Sequence, residues 1–181
     1  MSDDFFVLTG GPGSGKSTLI AELGRAGYRS MPEAGRAIIR DQMAIGGTAL
    51  PWADRAAFAD LMLGWELRSH AEAGGGAGPV LFDRGLPDVI GYRRLCGLAV
   101  PGALHRAAEL HRYNRRVFLA PHWPEIFTQD AERRQDEEEA RRTCEMMAHT
   151  YAALGYEVLP LPLAGVAARA DFIRDRIGPP R

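Results

Sequence analysis

Gly10-Gly11-Pro12-Gly13-Ser14-Gly15-Lys16-Ser17-Thr18 decides the reading of this chain. The stretch satisfies G-x-x-x-x-G-K-[ST] and follows directly on the apolar run Phe5 to Leu8. That run lacks the alternation of a half-exposed strand, as expected of a parallel strand covered on both faces. After it, Leu19, Ile20 and Leu23 recur at helical spacing from Lys16 to about Ala26, and Gly27 closes the segment. The opening unit is therefore strand, glycine loop, helix, the context in which this motif cradles phosphates.

Each residue type in the loop has a chemical reason. Glycines let backbone N–H groups converge on phosphate oxygens, and the helix that follows adds its N-terminal dipole. A serine at position 17 is suited to hold Mg²⁺ through its hydroxyl. A lysine at position 16 places a compact ammonium between the β- and γ-phosphates, where arginine's broad planar fork does not substitute. Composition underlines the point: the chain carries twenty-one arginines and one lysine, Lys16. The dinucleotide-binding fingerprint fails, because Gly11-x-Gly13-x-x meets Lys16 where its third glycine belongs. The expected ligand is a nucleoside triphosphate, ATP, held by residues 10–18 with Mg²⁺ on Ser17 and a downstream carboxylate.

Composition bounds the rest. A length of 181 residues suits one domain spanning residues 1–181. The net charge of −1 and the absence of a lysine-rich tract argue against a dedicated nucleic-acid binder. Cys96 and Cys144 form no disulfide framework and supply too few ligands for a structural zinc site, so a reducing cytoplasm is expected. No signal-peptide pattern and no run of roughly 20 apolar residues is present. The five histidines and three tryptophans show no metal or triad spacing. Oligomeric state is not encoded in any of these features.

Further strands are expected at Tyr28–Met31, Pro79–Asp83, Arg115–Ala120 and Glu157–Pro160. Between them, helices are expected over about Glu33–Met43, Trp52–Ala73, Pro87–Cys96, Pro101–Arg112, Gln129–Leu154 and Val166–Ile177, with glycines 74–78 forming a surface loop. Strands alternating with helices predict an α/β three-layer P-loop NTPase fold with a mostly parallel five-stranded sheet. A small helical lid is expected at about residues 121–142.

The downstream residues narrow the class. With no second lysine, the chain has no Asn-Lys-x-Asp segment to read guanine. Val80-Leu81-Phe82-Asp83 continues with Arg84 and Gly85, not with the glutamate that polarises water in ATP-driven motors. An acid followed by arginine at the end of a buried strand resembles the nucleoside and nucleotide kinases of the P-loop group. The resemblance implies that Asp83 helps hold hydrated Mg²⁺ and that Arg84 contacts the acceptor or the transferring phosphoryl. A plain turn with a surface ion pair is the competing account of Asp83-Arg84-Gly85. Pro32-Glu33-Ala34-Gly35-Arg36 extends the likeness to deoxynucleoside kinases, which implies that Glu33 is the general base and that Arg36 faces the same site. Strand ends flanking the phosphate-loop strand would project both into one crevice. Glu33 as a helix-start acid favoured by the helix dipole is the alternative.

The charged stretch from Gln129 to Arg142 resembles a kinase lid, which implies that Arg133 and Arg134 neutralise the transferred phosphoryl and exclude water. Its second half, Glu137-Glu138-Glu139 with Arg141-Arg142, reads as a solvated face with i,i+4 pairs. Trp123 and Phe127 suit either base stacking or bracing of the lid. Together with Leu154-Gly155-Tyr156-Glu157-Val158-Leu159-Pro160, these motifs resemble the P-loop predicted-ATPase family, AAA-type domains that group with the ribosylnicotinamide kinase domain of NadR. Asp83-Arg84-Gly85 departs from the Asp-Thr-x pattern of authentic ribosylnicotinamide kinases. The expected activity is phosphoryl transfer from ATP to a small acceptor, a nucleoside or nucleotide. A nucleotide-binding regulatory protein with slow NTPase activity is the alternative.

Overall fold

The computed structural model describes residues 3–126 and 136–180. Five strands, β1 (Phe5–Gly10), β2 (Arg29–Met31), β3 (Val80–Asp83), β4 (Arg116–Ala120) and β5 (Glu157–Pro160), form one sheet in the order β2-β3-β1-β4-β5. Every pairing is parallel. Among the described residues seven α-helices connect and cover them: α1 (Lys16–Arg25), α2 (Ala34–Ile45), α3 (Arg55–Ala73), α4 (Leu86–Leu95), α5 (Gly102–Leu110), α6 (Glu137–Ala153) and α7 (Val166–Ile177). A short 3₁₀ turn spans Pro124–Ile126.

The absence of alternation in β1 has its physical counterpart in two cores. Phe6 and Leu8 pack on one side with Leu19 and Leu23 of α1 and Ile173 of α7. Phe5 and Val7 pack on the other with Phe82, Leu86 and Tyr151. A third cluster, including Ile38, Phe58, Met62, Ile90 and Leu104, joins α2 to α5 beyond the sheet. Burial of both faces is what lets a parallel sheet read as a continuous apolar run.

Element boundaries differ from expectation where caps intervene. α3 starts at Arg55 and not Trp52, because Asp54 Oδ1 accepts the Ala57 N–H at 2.9 Å. The helix runs through Gly64, whose missing Cβ would meet nothing. α6 begins at Glu137, capped by Asp136 through the Glu139 N–H at 2.8 Å. Residues 127–135, which include Phe127, Arg133 and Arg134, lie outside the described residues. No helix among the described residues is long and apolar enough to cross a membrane.

Chain order positions the site. β3 lies on one side of β1 and β4 on the other, so the connections leaving β1 and β3 diverge at the C-terminal end of β1. Open parallel sheets place their crevice at such a switch point.

Candidate active site

The phosphate loop fills that switch point. Gly10 ends β1 at φ 133°, and a Cβ there would stand 2.2 Å from the Ala120 carbonyl oxygen of β4. Gly15 precedes α1 in the left-handed region, at φ 77°. Inside the loop, Ser14 Oγ donates to Gly11 O at 2.8 Å. Lys16 is buried and folded over its own loop, its Nζ donating to Gly11 O at 2.6 Å and Ser14 Oγ at 3.1 Å. Arg169 of α7, also buried, donates from Nη1 to Ser14 O at 3.0 Å. Ser17 and Thr18 stand exposed in the first turn of α1, on the solvent side of the loop.

Asp83 ends β3 beside this loop. Its Oδ1 is buried without a hydrogen-bond partner, and burial raises its carboxyl above the usual range against the opposing pull of Lys16 and Arg84. A buried carboxylate oxygen with no donor suits a cation, and hard oxygen donors are what Mg²⁺ selects. Asp83 therefore fits the metal expected on it and on Ser17.

Arg84 is the next residue and the centre of a buried array of charges. Its guanidinium donates from Nε to Glu33 Oε1 at 3.0 Å and from Nη1 to Gly10 O at 2.9 Å and Asp88 Oδ1 at 3.1 Å. Only 9% of the Arg84 side chain and 7% of the Glu33 side chain remain exposed. Arg84 is also the one non-glycine among the described residues with positive φ, 77°. A residue held in that region by three side-chain hydrogen bonds and by its backbone N–H on Leu8 O at 3.0 Å marks stored strain of the kind found at functional sites.

Glu33 stands at the N-cap of α2, yet its side chain makes no capping hydrogen bond. It faces Arg84 instead, with Arg36 Nε 3.4 Å from its other oxygen. Arg36 is half exposed, one turn on. The expectation that β2 flanks the phosphate-loop strand is corrected: β3 lies between them. Glu33 reaches the site because Arg84, at the end of the intervening strand, bridges the gap.

Asp88 carries no role in the sequence reading, although it belongs to the Phe82 to Asp88 motif. It is buried and accepts four bonds: Thr9 Oγ1 at 2.6 Å, Arg84 Nη1 at 3.1 Å, the Gly85 N–H at 3.0 Å and Tyr151 OH at 2.6 Å. A carboxylate so saturated positions its partners; it has no lone pair to spare for chemistry. The i,i+4 spacing from Arg84, in the first turn after Gly85, is the signal that would have found it. Nothing in the sequence signals Tyr151, sixty-three residues away.

Glu66 of α3 was also missed. It is 3% exposed, and its carboxyl is raised well above 4.5, first by burial and then by the charge of Asp88. The folded chain thus keeps a proton that the unfolded chain releases, so folding stability is full below about 4.5 and falls as pH rises through the window above it. Glu66→Gln should flatten that loss and raise the melting temperature at neutral pH. Thermal melts of both proteins between pH 4 and 8 check this, and parallel curves would contradict it.

The outer face is exposed as expected, but the pairing differs: Arg141 meets Glu138, three residues back, at 2.6 Å and Glu145, four residues on, at 2.5 Å, while Glu137 lies 3.2 Å from His122. Such exposed pairs contribute about 0–1 kcal/mol.

A parallel sheet in this order, with a phosphate loop after β1 and an acid after β3, defines a P-loop domain of kinase-like fold. The chain belongs to the AAA domain family whose model matches residues 5–169. Among solved structures it is similar to deoxyadenosine kinase from M. mycoides with the products dCMP and dCDP, at 13% identity and a TM-score of 0.64, over 95% of this chain and 97% of that one. It is also similar to NadR in complex with NR, at 16% identity and a TM-score of 0.69. That match covers 97% of this chain and 51% of NadR, so the chain spans about half of NadR's length. NadR in complex with NAD and AMP-PNP matches at 15% identity, with a TM-score of 0.70, over 97% of this chain and 50% of that one. No curated protein matches the sequence.

Proposed function

We propose that residues 1–181 form one P-loop domain that transfers the γ-phosphoryl group of ATP to a hydroxyl of a small acceptor, a nucleoside or nucleotide, in the cytoplasm. The observation that carries this reading is the buried Glu33–Arg84–Asp88 array set beside Asp83 and the phosphate loop. A site built only to bind nucleotide has no use for a buried carboxylate on its acceptor side. Known ligands of similar folds support the acceptor class: deoxyadenosine kinase holds dCMP and NadR holds NR.

In this reading the loop amides and Lys16 take the polyphosphate, Lys16 exchanging Gly11 O and Ser14 Oγ for phosphate oxygens. Ser17 and Asp83 would hold Mg²⁺, which would supply charge that offsets the triphosphate. Glu33 accepts the proton of the attacking hydroxyl as its oxygen bonds to the γ-phosphorus, the bond to the β-phosphate oxygen breaks, and ADP leaves. Arg84 holds Glu33 in place, and Arg36 faces the acceptor. Arg133 and Arg134 would supply positive charge over the transferred group. Among the described residues the carboxylates Glu33, Asp83 and Asp88 stand here against Arg36 and Arg84, which favours a hydroxyl over an acceptor phosphate.

The test is a screen of nucleosides, nucleoside monophosphates and unrelated hydroxyl compounds with γ-labelled ATP and Mg²⁺. Label should appear on a nucleoside or nucleotide. Tight ATP binding with no labelled acceptor would replace the kinase by the regulatory nucleotide-binding protein.

A further inference from the structure

Position 11 is a free choice in the phosphate-loop motif, and here it is glycine. Its backbone does not require one, because Gly11 is absent from the positive-φ residues. The surroundings do. A Cβ on Gly11 would stand 2.3 Å from the carbonyl oxygen of Ala140 and 3.2 Å from its carbonyl carbon. Both are backbone atoms of α6, so no side-chain rotation could relieve the clash, and the helix itself would have to move.

Eleven residues further along the same helix, Tyr151 OH donates to Asp88 at 2.6 Å, and Asp88 in turn holds Arg84, the partner of Glu33. At 1.5 Å per residue the two contacts are about 16 Å apart along one helix. The intervening stretch is seated on its neighbours: Ala140, Thr143, Cys144 and Met147 are buried, Cys144 Sγ lies 3.7 Å from Ala120 O, and a Cβ on Gly91 of α4 would meet Met147 Sδ at 2.6 Å. Gly11 O is also the acceptor of the Lys16 ammonium. The donor loop and the acceptor array are therefore joined by one packed helix, with backbone against backbone at one end and a buried hydroxyl on a carboxylate at the other.

We infer that α6 is a rigid strut that sets the phosphate loop against the acceptor-side carboxylates, with Gly11 and Tyr151 as the positioning residues at its two ends. The inference rests on the kinase reading above. When Lys16 turns from Gly11 O to phosphate, any shift of the loop backbone meets Ala140 without slack, and α6 carries it to Asp88.

The test compares wild type, Gly11→Ala, Tyr151→Phe and the double variant. Gly11→Ala should lower kcat by roughly 10²-fold, the scale of a misplacement of about 1 Å, a larger loss than any it causes in MgATP affinity. Tyr151→Phe removes only the hydroxyl and should also lower kcat. The two effects should not add, since both break one strut. In wild type, MgATP should slow amide exchange across residues 140–151, a readout that survives even if a variant folds poorly. Additive kcat effects, or α6 exchange indifferent to bound MgATP, would overturn the inference. Failure of wild type to bind MgATP would instead overturn the phosphate-loop reading and take the strut with it.

Discussion

Lys16→Arg, a change that conserves charge, should lower phosphoryl transfer by roughly 10²–10³-fold, the loss that follows removal of one well-aimed donor from a transition state. The buried Lys16 ammonium reaches Gly11 O and Ser14 Oγ through a thin stem. A guanidinium is planar, carries five N–H groups and needs room for a fork. Within a loop whose Ser14 carbonyl is already taken by Arg169, two acceptors cannot satisfy five donors. The expectation is checked by titrating MgATP into both proteins and by single-turnover transfer. Undiminished transfer in the variant would remove the phosphate loop from the mechanism.

Arg84→Ala should cost about 3–5 kcal/mol of folding stability, because it leaves Glu33 and Asp88 buried without their shared cation. Arg84→Gly removes the same guanidinium but suits φ 77°, where a Cβ costs roughly 1–2 kcal/mol. The glycine variant should therefore be the more stable of the two, although both unfold at lower urea than wild type. Equal midpoints for the two would show that the backbone at residue 84 relaxes. Midpoints near that of wild type would show that Glu33 and Asp88 find other partners. In both variants transfer should be lost beyond what stability explains, since Glu33 is no longer held.

These two residues mark the limits of legibility from opposite sides. Lys16 was readable because its motif is local: the end of β1 at Gly10, the five loop residues 11–15 and the helix start at Lys16 are contiguous, and their chemistry follows from spacing alone. The strands were readable for the same reason, and β5 and α7 begin and end where the periodicity predicts. Asp83 and Arg84 were readable as a pair at a strand end.

The partner of Arg84 was not readable by the same means. Glu33 lies fifty-one residues earlier, at the start of the helix that follows a strand not adjacent to β1, and only the order of the sheet brings it close. Periodicity says that a segment is a strand; it does not say which strand it pairs with. Asp88 shows an intermediate case, since its spacing from Arg84 was visible while its bond to Tyr151 was not.

The amino-acid sequence by itself determined that this chain folds as alternating strands and helices around a phosphate loop with one lysine, because those properties depend on neighbours along the chain. Tertiary structure alone decided that Arg84 strains its backbone to hold Glu33, that Asp88 is saturated, that Glu66 is buried among acids, and that α6 lies hard against Gly11. Each of these joins residues far apart in sequence, and the energy of such a contact exists only once packing has excluded water from between them.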